Sequence, residues 1–253
     1  AEETQVVSEI MKGIFEAAFQ CGWEVTPVSQ DFLLSGYSEE CHLLYLYNCN
    51  LQGSDEFLPQ VPENMHLLGL HAPGPMPRGT VVCNDYQAAI RQQVTDLARE
   101  YRRIAYIGPV SGRWFQSRYE TYLATLRSCG RAVPTALVLD CSPVARQVPD
   151  LQLQSLLAAG EPEALFFPGL LWLNLWLEFC AGAAAPAWAG ELPMAAIGGY
   201  LPVKCNLPNL CFRLEDGCQI GREAIRLIQL QHSDGQEIPP AVYVPFQEAP
   251  VLS

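Results

Sequence analysis

From residue 4 onward, segments whose apolar positions recur at helical spacing alternate with short, wholly apolar runs, and several of the junctions carry glycine. That rhythm predicts repeated strand–helix units around a parallel sheet. Thr4 caps a helix whose apolar face takes in Val7, Ile10, Ile14 and Ala18; Gly22 stops it, ahead of a strand over 23–28. Strands follow at 42–47, 66–70 and 80–83, then a helix over 86–101 and a strand over 103–107. The turn Gly108-Pro-Val-Ser-Gly112 leads to a helix over 117–129, again ended by a glycine, Gly130. The alternation continues with a strand at 136–140, a helix at 151–159, a strand at 164–167, a helix at 171–181 and a strand at 194–197. A strand over 210–214, a helix over 217–230 and a strand over 241–245 complete the pattern.

Runs such as Ala164-Leu-Phe-Phe167 and Met194-Ala-Ala-Ile197 have no polar face, which suits parallel strands covered by helices on both sides. In such sheets ligands lie beyond the carboxyl ends of the strands, so the residues just after Cys83, Ile107, Asp140, Phe167 and Ile197 are the ones to watch. The stretch 164–180 is apolar enough to raise a membrane span. Pro168-Gly169 breaks it and Asn174 and Glu178 interrupt it, so it is read as a buried strand, a turn and a core helix, with no membrane partner.

A chain of 253 residues has room for one large domain or two modest lobes, and 49% hydrophobic against 17% charged residues is a globular balance. The charge is acidic, 15 Lys and Arg against 27 Asp and Glu for a net −12, and Lys12 and Lys204 are the only lysines. Nucleic-acid binding rests on neutralising phosphates, so DNA contact by this chain itself is not expected. Ten cysteines are spread along apolar runs with no Cys-x-x-Cys pair; they read as reduced core thiols of a cytoplasmic protein, without a metal site. The N-terminus shows neither a basic stretch nor a signal-peptide core.

Gly-x-Ser-x-Gly, His-Glu-x-x-His, Gly-x4-Gly-Lys and the dinucleotide glycine fingerprint are all missing, so neither an enzyme activity nor a cofactor is expected. Of the four histidines only His71, just past a strand end, stands where a ligand would lie. Arg118 opens the helix that follows the central strand, where its planar fork of donors either reaches a ligand or pairs on the surface with Glu120. Trp114 and Phe115 share that loop; an aromatic there stacks on a ring or joins the core.

Several spans in the same order resemble the lactose/galactose-repressor family. Arg102-Arg-Ile-Ala-Tyr-Ile-Gly-Pro109 is similar to its His-Arg-x-Ile-x-x-Ile-x-Gly-Pro element, and Arg118-Tyr-x-x-Tyr-x-x-x-Leu126 to its Arg-x-x-Gly-[Tyr/Phe] helix. Thr80-Val-Val-Cys-Asn-Asp85 falls where the family has Val-x-x-Asp-Asn, and Met11-Lys-Gly-Ile-Phe-Glu-Ala-Ala18 with Gly22-Trp-Glu-Val25 matches its first helix and second strand. Glu163-Ala-Leu-Phe-Phe and Ala196-Ile-Gly-Gly-Tyr200 occupy strands before two ligand loops, and the segment from Asn209 to Arg222 resembles the Pro-Leu-Thr-Thr-Val segment with its following helix.

The resemblance implies two doubly wound parallel-sheet lobes of the type I periplasmic-binding-protein-like α/β fold, joined by three crossovers near Cys83, near Arg213 and in the loop 232–239. One lobe would comprise 1–83 plus 213–235 and the other 84–212 plus 236–253. It implies the effector-binding and dimerising domain of a bacterial transcription regulator. Such a domain senses a small molecule between closing lobes, a sugar or another small polar or aromatic metabolite, and controls an attached DNA-binding module absent from this chain, as is the family's first strand, which would precede residue 1. An exported solute-binding protein shares the architecture and is the alternative. Residue by residue, Arg118 falls on the effector-binding arginine, Trp114 on a ligand-contacting loop position, Cys141 on an aromatic stacking position and Glu215 on a crossover contact. Three positions depart from the pattern: Tyr200 replaces a carboxylate, Gly169 a polar residue and Cys83 an acidic one. With those anchors gone, the departures point to a flatter or more apolar ligand, or to a site that has degenerated. In fluorescence anisotropy at physiological salt, the 253-residue chain is expected to leave a labelled DNA duplex free at micromolar protein; salt-sensitive binding would overturn the reading of its charge.

Overall fold

A computed structural model gives the fold and describes residues 2–26, 42–46, 61, 66–72, 76, 78–112, 114–141, 150–199, 207–234 and 237–248. The chain divides into two compact units: residues 3–84 with 216–245, and residues 85–215 with 246–253.

In the first unit, β1 (His42–Leu46), β2 (His66–Leu70), β3 (Thr80–Asn84) and β9 (Ala241–Val244) form a parallel sheet in the order β1-β2-β3-β9. Helix α1 (Glu2–Gln20) buries Val6, Ile10, Ile14 and Ala18, spaced by four so that they share one face. They pack with Ile220, Ala224, Ile225, Leu227 and Ile228 of helix α6 (Gly217–Asp234) and with Leu68, Leu70, Val82 and Val244 of the sheet. The two helices touch through glycine. A methyl group on Gly221 would collide with the Ile10 carbonyl, and one on Gly13 with the Cys218 carbonyl. Arg222 on α6 and Glu16 on α1 add an ion pair at 2.9 Å.

The second unit holds a six-stranded sheet in the order β10-β8-β7-β6-β4-β5, built from β4 (Ile104–Gly108), β5 (Val138–Asp140), β6 (Ala164–Phe167), β7 (Met194–Gly198), β8 (Leu210–Leu214) and β10 (Gln247–Glu248). All pairs are parallel except β10 with β8. Helices α2 (Tyr86–Glu100) and α3 (Gln116–Ser128) supply residues to one core, and α4 (Asp150–Gly160) and α5 (Leu170–Ala181) to another. Strand residues split between them with period two. Ile104, Tyr106, Ala164, Phe166, Ala195 and Ile197 join α2 and α3, while Ala105, Ile107, Leu165, Phe167, Met194 and Ala196 join α4 and α5. The central strands β4, β6 and β7 are apolar throughout because both of their faces are buried. α5, the helix of the apolar stretch at 164–180, buries Leu170, Trp172, Leu173, Trp176 and Phe179; no helix among the described residues is long and apolar enough to cross a membrane.

Several sequence expectations shift. Residues 23–26 carry no strand, and 27–28 lie outside the described residues. α1 begins at Glu2, ahead of Thr4, and buries Val6 while Val7 is half-buried. The third passage between the units falls at 245–246, not in the loop 232–239, because β9 pairs with β3 from Val81↔Ala241 to Asn84↔Val244 and keeps 236–245 with the first unit. Residues 213–215 belong to the second unit, since β8 is held between β7 and β10. Of the seven described free cysteines Cys83 and Cys141 are buried and Cys21, Cys129 and Cys180 pack half-buried against the cores, whereas Cys218 is half-buried outside them and Cys211 is exposed.

Gly221→Ala is expected to force α1 and α6 apart and cost about 1–3 kcal/mol or more, since the obstacle is backbone rather than a flexible side chain. At roughly 2–4 °C per kcal/mol for a chain of this size, calorimetry should show a clear fall in Tm; an unchanged Tm would mean the helices do not meet there.

Candidate functional site

In the second unit β4 runs into β5 on one side, while the chain from β6 onward lies on the other, so the direction of winding reverses between β4 and β6. Loops leaving such a pair diverge and open a place for a ligand at the carboxyl edge. The loops here leave in close contact, since any side chain at Gly108 would meet the Pro168 ring.

Arg118 reaches that point from the first turn of α3. It is 8% exposed, and its Nη1 donates to the Pro168 carbonyl at 2.6 Å. Its guanidinium lies over the Tyr86 ring, 3.8 Å from the centroid, with the Phe115 ring at 5.1 Å. A desolvated cation on an aromatic face is worth about 2 kcal/mol or more, which helps offset burial of the charge. The backbone of α3 is fixed from beneath: the Tyr122 hydroxyl donates to the Ile104 carbonyl at 2.8 Å, and Tyr122 stacks on Phe166. On the same face the Tyr106 hydroxyl donates to the Pro109 carbonyl at 2.7 Å, holding the loop after β4. Asp85 caps α2, accepting from the Ala88 N–H at 2.8 Å, and so sets Tyr86 in place at the first turn.

Glu215 follows β8, and its N–H donates to the Gly198 carbonyl at 2.9 Å. Desolvation raises its pKa above the ordinary glutamate range; the Arg118 charge and the Tyr86 hydroxyl oppose that rise without cancelling it. The carboxyl edge thus joins a cation, two aromatic faces, a carbonyl and a carboxyl, an arrangement suited to gripping a small molecule with a ring and polar substituents.

The remaining expected residues are dispersed. Gly169 is the N-cap of α5 with extended backbone, and a Cβ there would come within 2.6 Å of the Trp172 ring, so a polar side chain at this position is displaced by tryptophan. Trp172 in turn meets Phe115 edge-on at 4.8 Å. Trp114 is half-buried in the turn before α3. Cys141 sits in the core shared by α4 and α5, its thiol pushed up to about 12 by desolvation. Cys83 and His71 belong to the first unit: Cys83 is buried on β3, and His71 takes a left-handed backbone (φ 56°) while its N–H donates to the Val82 carbonyl at 2.8 Å. Tyr200 lies outside the described residues. Arg118 turns inward to Tyr86, and Glu120 accepts from Gln116 at 2.9 Å instead. Sequence reasoning missed Tyr86, whose only signal was its place directly after the Asp85 cap. Among the described residues no three His, Cys, Asp or Glu side chains come together as a metal site would require.

By sequence, the chain matches no family model and no curated protein. By structure it is similar to a LacI transcriptional regulator from Lactobacillus brevis, with TM-score 0.71 and 16% identity over 96% of this chain and 94% of that one. It is also similar to the transcriptional regulator CelR in complex with cellobiose, with TM-score 0.68 and 19% identity over 96% and 77% of the two chains. The fold is that of LacI-type regulators. It is shared beyond regulators, as the likeness to GanP, a glucose-galactose binding protein from Geobacillus stearothermophilus, shows: TM-score 0.69 and 13% identity over 96% and 91% of the chains. In all three the LacI-type fold persists at identities where few individual side chains are shared.

Because the folded state holds the Glu215 proton more tightly than the unfolded chain, with its ordinary value of 4.5, the favourable contribution is present below that value and is lost as pH rises through the higher one. Glu215→Gln, neutral throughout, should therefore gain stability relative to the parent as pH is raised from about 4 to about 7. Urea denaturation at the two pH values tests this; a constant difference would remove the titration from Glu215.

Proposed function

We propose that this chain is the effector-binding domain of a transcription regulator of the lactose/galactose-repressor type. In this reading it is cytoplasmic, homodimeric and not an enzyme. It takes a small molecule, a sugar or another small polar or aromatic metabolite, and meets DNA only through a module outside these 253 residues. The observation that carries the reading is the placement of Arg118 where the winding reverses in the second unit's sheet, on a fold that solved regulators share. Such a domain acts by binding its effector more tightly in one of two arrangements, so that occupancy shifts their balance and the coupling is felt by the DNA-binding module. Arg118 supplies the charged fork, Trp114 and Tyr200 the rings, and Glu215 the carboxyl, with Gly169, Cys141, Cys83 and His71 as the remaining candidate contacts.

Loss of polar side chains at positions 83, 169 and 200 favours a ligand held by one cation and aromatic faces over a sugar held by many hydroxyl contacts. The likeness to a glucose-galactose binding protein favours a second reading, a solute carrier for import; the seven free cysteines among the described residues weigh against export, because thiols pair in oxidising compartments.

A thermal-shift screen with cellobiose, glucose, galactose, adenine and benzoate tests the site. A true effector at about a hundred times its Kd stabilises by about 2.7 kcal/mol, which is roughly 5–11 °C in Tm. The shift should vanish in Arg118→Ala and shrink in Arg118→Lys, which keeps the charge but loses the planar fork. A ligand that stabilises the parent and Arg118→Ala equally would place the site elsewhere.

A further inference from the structure

The chain passes between its two units at 84–85, 215–216 and 245–246. At the second-unit end of each passage stands a residue of the Arg118 cluster or one that touches it: Tyr86, Glu215 and Phe246. Tyr86 carries the Arg118 guanidinium on its ring at 3.8 Å and meets the Phe246 ring edge-on at 5.1 Å. Glu215 feels the Arg118 charge and borders the Tyr86 hydroxyl. Phe246 is fastened from its other side, because the next residues form β10 against β8, where Gln247 pairs with Leu214 and Glu248 with Arg213. Arg213 and Glu248 add an ion pair at 2.7 Å on a largely buried guanidinium.

The first and third passages also run side by side. Asn84 and Val244 are register partners at the end of the first unit's sheet, and the buried Asn84 amide donates to the Val244 carbonyl at 3.2 Å and the Pro245 carbonyl at 3.4 Å. Two residues on, the same two segments meet again through the Tyr86 and Phe246 rings. The pair is thus tied before and after the crossing.

We infer that Tyr86, Glu215 and Phe246 are positioning residues that clasp Arg118 to all three connecting segments, so that a change at the guanidinium is passed to every connection between the units at once. This rests on the reading of Arg118 as the effector contact only for what would move the guanidinium. A ligand that drew Arg118 away from Tyr86 and the Pro168 carbonyl would loosen the clasp, and one that filled its remaining N–H donors in place would tighten it.

Hydrogen exchange on the intact chain without ligand separates the clasp from the ligand site. In Arg118→Ala, exchange should rise about tenfold or more at amides 85–87, 214–216 and 246–247 together, including the last, which Arg118 does not touch. Tyr86→Leu should reproduce the pattern, and Tyr86→Phe, which keeps both ring contacts, should leave 246–247 unchanged. Leu153→Ala, in the core on the opposite face of the sheet, controls for general loosening. A rise confined to residues near 114–119 and 168–170, or the same three-segment pattern in Leu153→Ala, overturns the inference. If Arg118→Ala does not fold, Tyr86→Leu and Phe246→Ala carry the test: each should loosen all three segments, and loosening of its own segment alone overturns the clasp. A ligand screen that fails leaves this result standing, and a failed clasp leaves the ligand site standing.

Discussion

Parallel pairing of β4 with β5 on one side and β6 on the other is the constraint from which the rest of the second unit follows. A strand paired in parallel on both edges needs a crossover for each neighbour, and helices from those crossovers cover both faces. Burial of both faces demands strands without polar positions, which is why Ala105 and Tyr106, adjacent in sequence, serve different cores. Winding reverses between β4 and β6, and the first helical turn after β4 delivers Arg118 to the Pro168 carbonyl in the loop that follows β6.

Placing a guanidinium there carries its own requirement. An ion buried without partners costs several kcal/mol, so the surrounding groups must return what water supplied. The Pro168 carbonyl accepts one N–H, the Tyr86 ring covers the flat face, and the Glu215 carboxyl stands near from the end of β8. Each partner comes from a different part of the chain. The arginine is therefore a point where the loop after β6, the start of α2 and the end of β8 converge, and the same convergence brings the connecting segments close to it.

The first unit is governed by backbone proximity instead. Gly13, Gly217 and Gly221 let α1 and α6 approach until side chains no longer fit between them, and both helices then cover one face of β2, β3 and β9. Its sheet ends in the β3–β9 pair that leads directly into two of the connections.

Element order was legible in the sequence because burial on one or two faces leaves a periodic trace. Helices α1 to α6 and most strands stand within a few residues of where periodicity and the stop glycines put them. Arg118 was legible as a residue at the start of a helix beyond a central strand, and its inward position was not. Local pattern does not specify which distant ring or carbonyl meets a side chain, so Tyr86 passed unnoticed and Glu120 stood as an alternative partner. The sequence alone likewise determined that Gly169 bears no polar group, while only the tertiary structure supplied the reason, the Trp172 ring lying where a Cβ would be. The third connection shows the same division. Residues 241–244 read as a strand from their own composition, but membership of the first sheet was decided by hydrogen bonds to β3, far away in sequence. Periodicity is a property of one segment and its solvent; pairing, burial of charge and the course of the chain between units are properties of segments taken together.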